Sequence, residues 1–290
     1  MNDLIQVEFN EQAAPLGFEV ARIEQKQSEF GDVMQKPGRH FFFMIMYITN
    51  GNGSHEIDFK KHKVQQGDLI FLAKGQVQAF EQNSELKGFA LLFTEEFLTK
   101  YSGQSSIMAE HRLFNYHLNK PVLHLNSNQK KEEFKSLFSL IEKEFYATED
   151  TRKMEVLYHY LQILMLKADE LHGARLSAPL SNIDYVQFTK LKNLVAQKLK
   201  ETRSVSFYAN ELGLSTKKLN QLTKKVTGKN AKDYLIELTI LEIKRILVST
   251  QKSVQEVSFE IGFEEPTNMV KFFKRSTGFT PREFVGAVKR

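Results

Sequence analysis

The sequence predicts an α+β chain: a barrel or sandwich of short strands over residues 1–125, and helices from there to the end. Three observations carry this. Between 18 and 98, apolar runs of strand length alternate with Gly-marked turns. After about 125, apolar residues recur at helical spacing. The charge divides late in the chain: residues 185–290 carry 20 Lys and Arg against 10 Asp and Glu, and residues 1–184 carry 20 against 25. A basic third joined to a mildly acidic remainder is the electrostatic layout of a nucleic-acid reader attached to something else.

At 290 residues, 41% of them hydrophobic and 26% charged, the chain is long enough for two globular domains. The richest apolar run, "FFFMIMYI" (41–48), is too short to span a bilayer and suits a buried strand. "MNDLIQVEFNEQ" lacks the basic region and apolar core of a secretion signal, so a cytoplasmic location without a membrane partner is expected. Cys is absent, which excludes a disulfide framework, a thiol nucleophile and cysteine metal ligands.

Taken in order, "HFFFMIMYITN" runs into "GNG" (51–53), a tight-turn signal, and then into "SHEIDFKKHKV". "QQGDLIFLAKGQVQAF" and "LKGFALLFTEEFL" follow as further strands. "QKKEEFKSLFSLIEKEFYA" (129–147) places Phe134, Phe138, Ile141 and Phe145 on one helical face. "TRKMEVLYHYLQILMLKADEL" (151–171) does the same with Met154, Leu157, Leu161, Leu164 and Leu171. "HGARLSAPLSN" (172–182), with Pro179, reads as a linker. The resulting division is 1–125, 126–183 and 184–290.

The last part contains a repeat. "SFYANELGLSTKKLNQLTKKVTG" (206–228) and "EVSFEIGFEEPTNMVKFFKRSTG" (256–278) each have a short helix, a Gly turn, a cation-bearing helix and a closing Gly. Aligned on the closing Gly, Leu219 matches Met269 and Leu222 matches Phe272. This is the outline of two helix-turn-helix units. Between them "NAKDYLIELTILEIKRILVST" (230–250) predicts a rod of about 28 Å, near the ~34 Å between successive major-groove faces of B-DNA.

Region 184–290 resembles the AraC/XylS family of bacterial transcription regulators. "VSFEIGFEEPTNMVKFFKRSTGFTPREF" is similar to that family's C-terminal signature, with its Ile-Gly-Phe turn, Phe-Lys-Arg and Gly-x-Thr-Pro close. Met269 and Thr223 stand where the family usually has Phe, which implies a slightly looser core. The resemblance implies a double-stranded DNA partner read by Lys217, Asn220 and Gln221 on one helix and by Thr267 and Lys271 on the other. Asn and Gln suit adenine, and Lys favours guanine. Lys218, Lys224, Lys225, Lys274 and Arg275 suit phosphate, as do the backbone amides of Ser215 and Thr216.

The family's usual N-terminal part is a cupin-like barrel followed by dimerising helices, and 18–98 is similar to that. The resemblance therefore implies a small-molecule effector, a homodimer through 129–171, RNA polymerase as a partner and a lean towards activation. Phe43, Ile45, Tyr47, Phe71 and Phe89 are expected inside the barrel, either lining an effector pocket or filling the space themselves. The alternative is a cupin metalloenzyme carrying a DNA-binding module. Against it, "GDLIFLAKGQVQAF" has Gln78 where metal cupins put His, and His55 and Glu56 alternate in direction along a strand. No metal, cofactor or catalytic residue is expected, and His40, His55 and His62 read as hydrogen-bonded or surface residues.

Overall fold

The computed structural model describes residues 5–7, 9, 17–81, 85–101, 113–116, 120–148, 151–173 and 182–288. The chain divides into two compact units, Met1–Ser177 and Ala178–Arg290.

In the first unit the strands are β1 (Ile5–Val7), β2 (Phe18–Arg22), β3 (Gly38–His40), β4 (Phe43–Asn50), β5 (Asn52–Ile57), β6 (Lys60–Gln65), β7 (Asp68–Leu72), β8 (Val77–Phe80), β9 (Lys87–Phe93) and β10 (Val122–His124). They form two five-stranded sheets, ordered β1-β3-β8-β5-β6 and β10-β7-β4-β9-β2. The β5–β6 hairpin turns on Asp58 and Phe59, both at positive φ (48° and 64°), the geometry whose twist suits a two-residue loop. Asp58 holds that strained backbone by accepting from Gln76 Nε2 (2.7 Å) and the Val77 amide (3.2 Å).

Two helices interrupt the region expected to be strands throughout: α1 (Ile23–Met34) and α2 (Glu95–Tyr101). Their starts carry little signal. β2 runs directly into α1, whose N-cap Arg22 makes no side-chain cap, and α1 is itself broken at Phe30 (φ −133°). The expected helices at 129–147 and 151–171 are α3 (Asn128–Phe145) and α4 (Lys153–Gly173). Ser127 caps α3 by accepting from the Lys130 amide. Most of the linker at 172–182, including Pro179, lies outside the described residues.

β4 is central in its sheet and buried on both faces, which is why its sequence is apolar without alternation. One face sends Ile45 and Tyr47 into a core with Phe71, Phe89, Phe134, Phe138, Leu157 and Leu161, so α3 and α4 pack against this sheet. The other face sends Met44, Met46 and Ile48 into a second core with Ile70, Phe80 and Ala90. The strand β2 is tied to α3 as well: Arg22 grips Glu142 through two bonds of 2.5 and 2.6 Å and stacks 3.9 Å over Phe89. Tyr146 donates its hydroxyl hydrogen to the Val20 carbonyl.

The second unit is helical: α5 (Asn182–Lys198), α6 (Val205–Glu211), α7 (Thr216–Thr227), α8 (Ala231–Ser249), α9 (Val254–Glu260), α10 (Pro266–Thr277) and α11 (Pro281–Val288). α8 carries the densest burial, with Tyr234, Leu235, Leu238, Ile243 and Ile246 all inside. Apolar contact on several sides explains its weak amphipathic contrast, since neighbouring helices pack around it.

Candidate nucleic-acid interface and ligand cavity

The repeat read from the sequence is a repeat of backbone geometry. α6 and α9 are N-capped by Ser204 and Ser253, the latter in a reciprocal capping box with Glu256. Each ends in the same pair of bonds: Gly213 N–H to Asn210 and Leu214 N–H to Ala209 in one, Gly262 N–H to Phe259 and Phe263 N–H to Ser258 in the other. This Schellman turn needs a left-handed residue, and Gly213 (φ 65°) and Gly262 (φ 78°) supply it. At Gly262 a Cβ would also stand 2.0 Å from the Lys200 carbonyl oxygen, so the second turn sits directly on the segment that precedes the first unit. Arg203 locks that contact. Its guanidinium donates to the Ile261 carbonyl and lies 4.1 Å over the Phe263 ring.

Behind these turns, α7 and α10 each bury one face and expose another. Leu219, Leu222 and Thr223 are buried on α7; Met269 and Phe273 are buried on α10, with Phe272 half-buried against Phe263 at 5.5 Å between ring centroids. Thr223 meets its burial by donating to the Leu219 and Asn220 carbonyls, and Met269 is fully enclosed. The opposite faces expose Lys217, Lys218, Gln221, Lys224 and Lys225 on α7, and Thr267, Asn268, Lys271, Lys274 and Arg275 on α10. Ser215 caps α7 by accepting from the Lys218 amide, and Thr216 opens the helix exposed.

Two of the residues assigned from the sequence are engaged by other parts of the fold. Asn220 donates to the Thr216 carbonyl at 2.9 Å and accepts from the Ala231 amide at 2.9 Å, joining α7 to the start of α8. Both ends of its amide thus carry a backbone bond, a structural tie at a position expected to read a base. Lys225 pairs with Asp184 of α5. Among the described residues, Lys217, Lys218, Lys224, Lys271, Lys274 and Arg275 have no carboxylate in ion-pair contact. Asn268, in the first turn of α10, is exposed beside Thr267 and was not among the residues assigned from the sequence.

The first unit holds a cavity of about 410 Å³ between its sheets, bordered by α1. Its walls include Phe42, Met44 and Met46 from β3–β4, Phe80 from β8, Ala90 and Leu92 from β9, and Ile23, Phe30, Val33 and Met34 from α1. None of Phe43, Ile45, Tyr47, Phe71 and Phe89 lines it. These five face the helical hairpin on the other side of the sheet, where Tyr47 stacks on Phe138 at 5.4 Å and donates to the Lys131 carbonyl. They fill a core there, one residue of strand parity away from the positions that border the cavity, and a run apolar on both faces gives no sign of which face is which.

The polar groups of the cavity wall are Glu19, Lys26, Lys36, His40 and Gln78. Gln78 bridges two imidazoles, at 2.5 Å to His55 Nε2 and 2.8 Å to His40 Nε2. Burial pushes His40 down to about 4 and His55 to about 3, so both rings are neutral at pH 7. With the amide oxygen accepting from His55, the amide nitrogen donates to His40, and the three side chains form one oriented chain.

Residues 208–287 match the helix-turn-helix domain family, and residues 22–160 match the AraC-like ligand binding domain. The HTH-type transcriptional activator RhaR of Mannheimia succiniciproducens is 23% identical over 250 residues, 85% of this chain and 85% of that protein. RhaS of Enterobacter sp., also an HTH-type transcriptional activator, is 22% identical over 246 residues, covering 84% and 85%. In fold, the chain resembles ToxT from Vibrio cholerae, with a TM-score of 0.50 at 13% identity over 93% of this chain and 98% of that one. The paired turns of the basic unit and the sheet-rich unit that precedes them thus coincide with two domain families in a fixed order, and by that combination the chain belongs to the AraC family of transcription regulators.

Proposed function

We propose that this protein is a sequence-specific DNA-binding transcription regulator that works as an activator in the cytoplasm, with an N-terminal unit that binds a small effector. One observation carries the reading: two helix-turn-helix units with the same capping bonds, on one basic unit, expose cations of which, among the described residues, only Lys225 is in ion-pair contact with a carboxylate. Gln221, Lys217, Lys271 and Thr267 take the base edges, and Lys218, Lys224, Lys274 and Arg275 hold phosphate together with the amides at Ser215 and Thr216. Lys225 joins them by exchanging Asp184 for phosphate. RNA polymerase is the partner that activation requires. A homodimer forms over the outer face of α3 and α4, where Leu140, Ile163 and Leu166 are exposed. Catalysis by the barrel is not part of the reading: the two imidazoles nearest a metal-cupin arrangement are both engaged by Gln78.

The test is DNA binding by residues 178–290 on random duplex and on a site selected from a random pool, across a salt series. Tight selection of one sequence with a steep loss of affinity in salt supports a specific regulator. Steep salt dependence without selection leaves a non-specific basic domain, and no binding overturns the reading.

A further inference from the structure

The first turn of α10 holds a carboxamide that the fold does not engage. Asn268 is exposed, and among the described residues its side chain has no hydrogen-bonding partner; its backbone N–H goes to the Glu265 carbonyl at 3.0 Å. Asparagine in or beside a helix commonly turns its amide onto nearby backbone. Two others in this unit do so. Asn220 joins the Thr216 carbonyl to the Ala231 amide, and Asn230 caps α8 by accepting from the Asp233 amide at 2.9 Å. In α10 the capping position belongs to Glu265, and Pro266 follows it with an apolar side chain. Thr267 directs its hydroxyl to the Glu265 carboxylate at 3.5 Å, and Met269 is buried. Among these first-turn side chains, Asn268 is the one that keeps an acceptor and donors open together.

Its place on the helix decides what it can meet. Asn268, Lys271 and Arg275 follow one another at spacings of three and four residues, along one exposed stripe of α10. A helix-turn-helix unit sets the N-terminal residues of its second helix against base edges. Asn268 stands at that end, with Arg275 two turns behind it. A carboxamide accepts and donates in one plane, the pattern that the N6 amino group and N7 of adenine complement in the major groove. In the first unit the corresponding residue, ten before the closing Gly, is Lys218, a point charge with no acceptor. We infer that Asn268 reads an adenine in the part of the site bound by the second unit, and that the first unit lacks this selection at the same position. This rests on the chain being a sequence-specific DNA reader and adds one base and the residue that selects it.

Sites selected from a random duplex pool by the full chain and by its variants test this, followed by Kd measurements on the selected duplex. Asn268→Ala loses the preference for one adenine that Asn220→Ala and Gln221→Ala retain. Replacing that adenine by 7-deazaadenine, which lacks N7, weakens binding of the wild type about tenfold and of Asn268→Ala not at all. Asn268→Asp keeps the shape but only accepts, and it moves the preference at that position from adenine to cytosine, whose N4 amino group donates. Asn268 is exposed, so these variants leave the core intact. Unchanged selection by Asn268→Ala overturns the proposal. So does an equal loss on selected and random duplex, the sign of a phosphate contact. A wild-type chain that selects no sequence overturns it together with the reading as a specific regulator.

Discussion

Asn220 shows how far a residue's role depends on its neighbours. By type and position it suits an adenine edge, yet its amide joins the Thr216 carbonyl to the Ala231 amide. Asn220→Ala is expected to leave that amide unpartnered, cost about 1 kcal/mol of stability and weaken binding to all DNA alike. Gln221→Ala, with an exposed side chain, should relax sequence selection at nearly unchanged stability. Lys274→Ala should weaken specific and non-specific binding equally. Competition binding with paired urea melts separates the three, and a loss of stability in Gln221→Ala or none in Asn220→Ala contradicts the assignments.

The imidazoles make a second residue-scale prediction. His40 and His55 titrate at about 4 and about 3 in the folded chain, below the ordinary 6.5, because burial penalises the charged ring. As pH falls below 6.5 the unfolded chain takes up protons first, so stability is present above 6.5 and drains away down to about 4 and about 3. Each histidine contributes a slope of up to about 1.4 kcal/mol per pH unit over its window. In His55→Phe, which carries no proton, the fall between pH 6.5 and 4.5 should be shallower than in the wild type. Parallel profiles in calorimetric melts would rule the mechanism out.

Among elements, the two turns look alike in sequence and differ in what surrounds them. Gly213 has open space where a Cβ would go, so Gly213→Ala bears only the left-handed backbone, about 1 kcal/mol. Gly262 meets the Lys200 carbonyl at 2.0 Å, so Gly262→Ala must also push the 200–203 segment away. We expect it to cost at least twice as much as Gly213→Ala. Equal losses in thermal melts would show that the contact yields freely. The strand β4 gives the same lesson in another form, since a one-residue shift decides whether Phe43, Ile45 and Tyr47 or Met44 and Met46 border the cavity.

At the scale of the whole molecule, affinity for DNA should be mainly a matter of counterion release. Five phosphate cations (Lys218, Lys224, Lys225, Lys274 and Arg275) give a slope of about −4.5 in log affinity against log salt. Lys224→Ala or Arg275→Ala should each reduce that slope by about 1. An unchanged slope would place those side chains away from the backbone. If a ligand regulates the protein, linkage requires it to bind the DNA-competent chain with different affinity, by the same factor by which it alters DNA binding.

The sequence by itself determined the helical DNA-binding unit, because its information is local. Gly turns, serine caps and the 3.6-residue spacing of Leu219, Leu222, Met269 and Phe273 act within a few residues of one another. It also determined the class of the first unit, through strand-length apolar runs and Gly turns. Only the tertiary structure decided the rest: the helix after β2, the face of β4 that borders the cavity, and the engagement of Asn220 and Lys225. Each depends on a partner distant in the chain or on which side of a doubly buried strand faces inward. Composition and spacing carry no record of either.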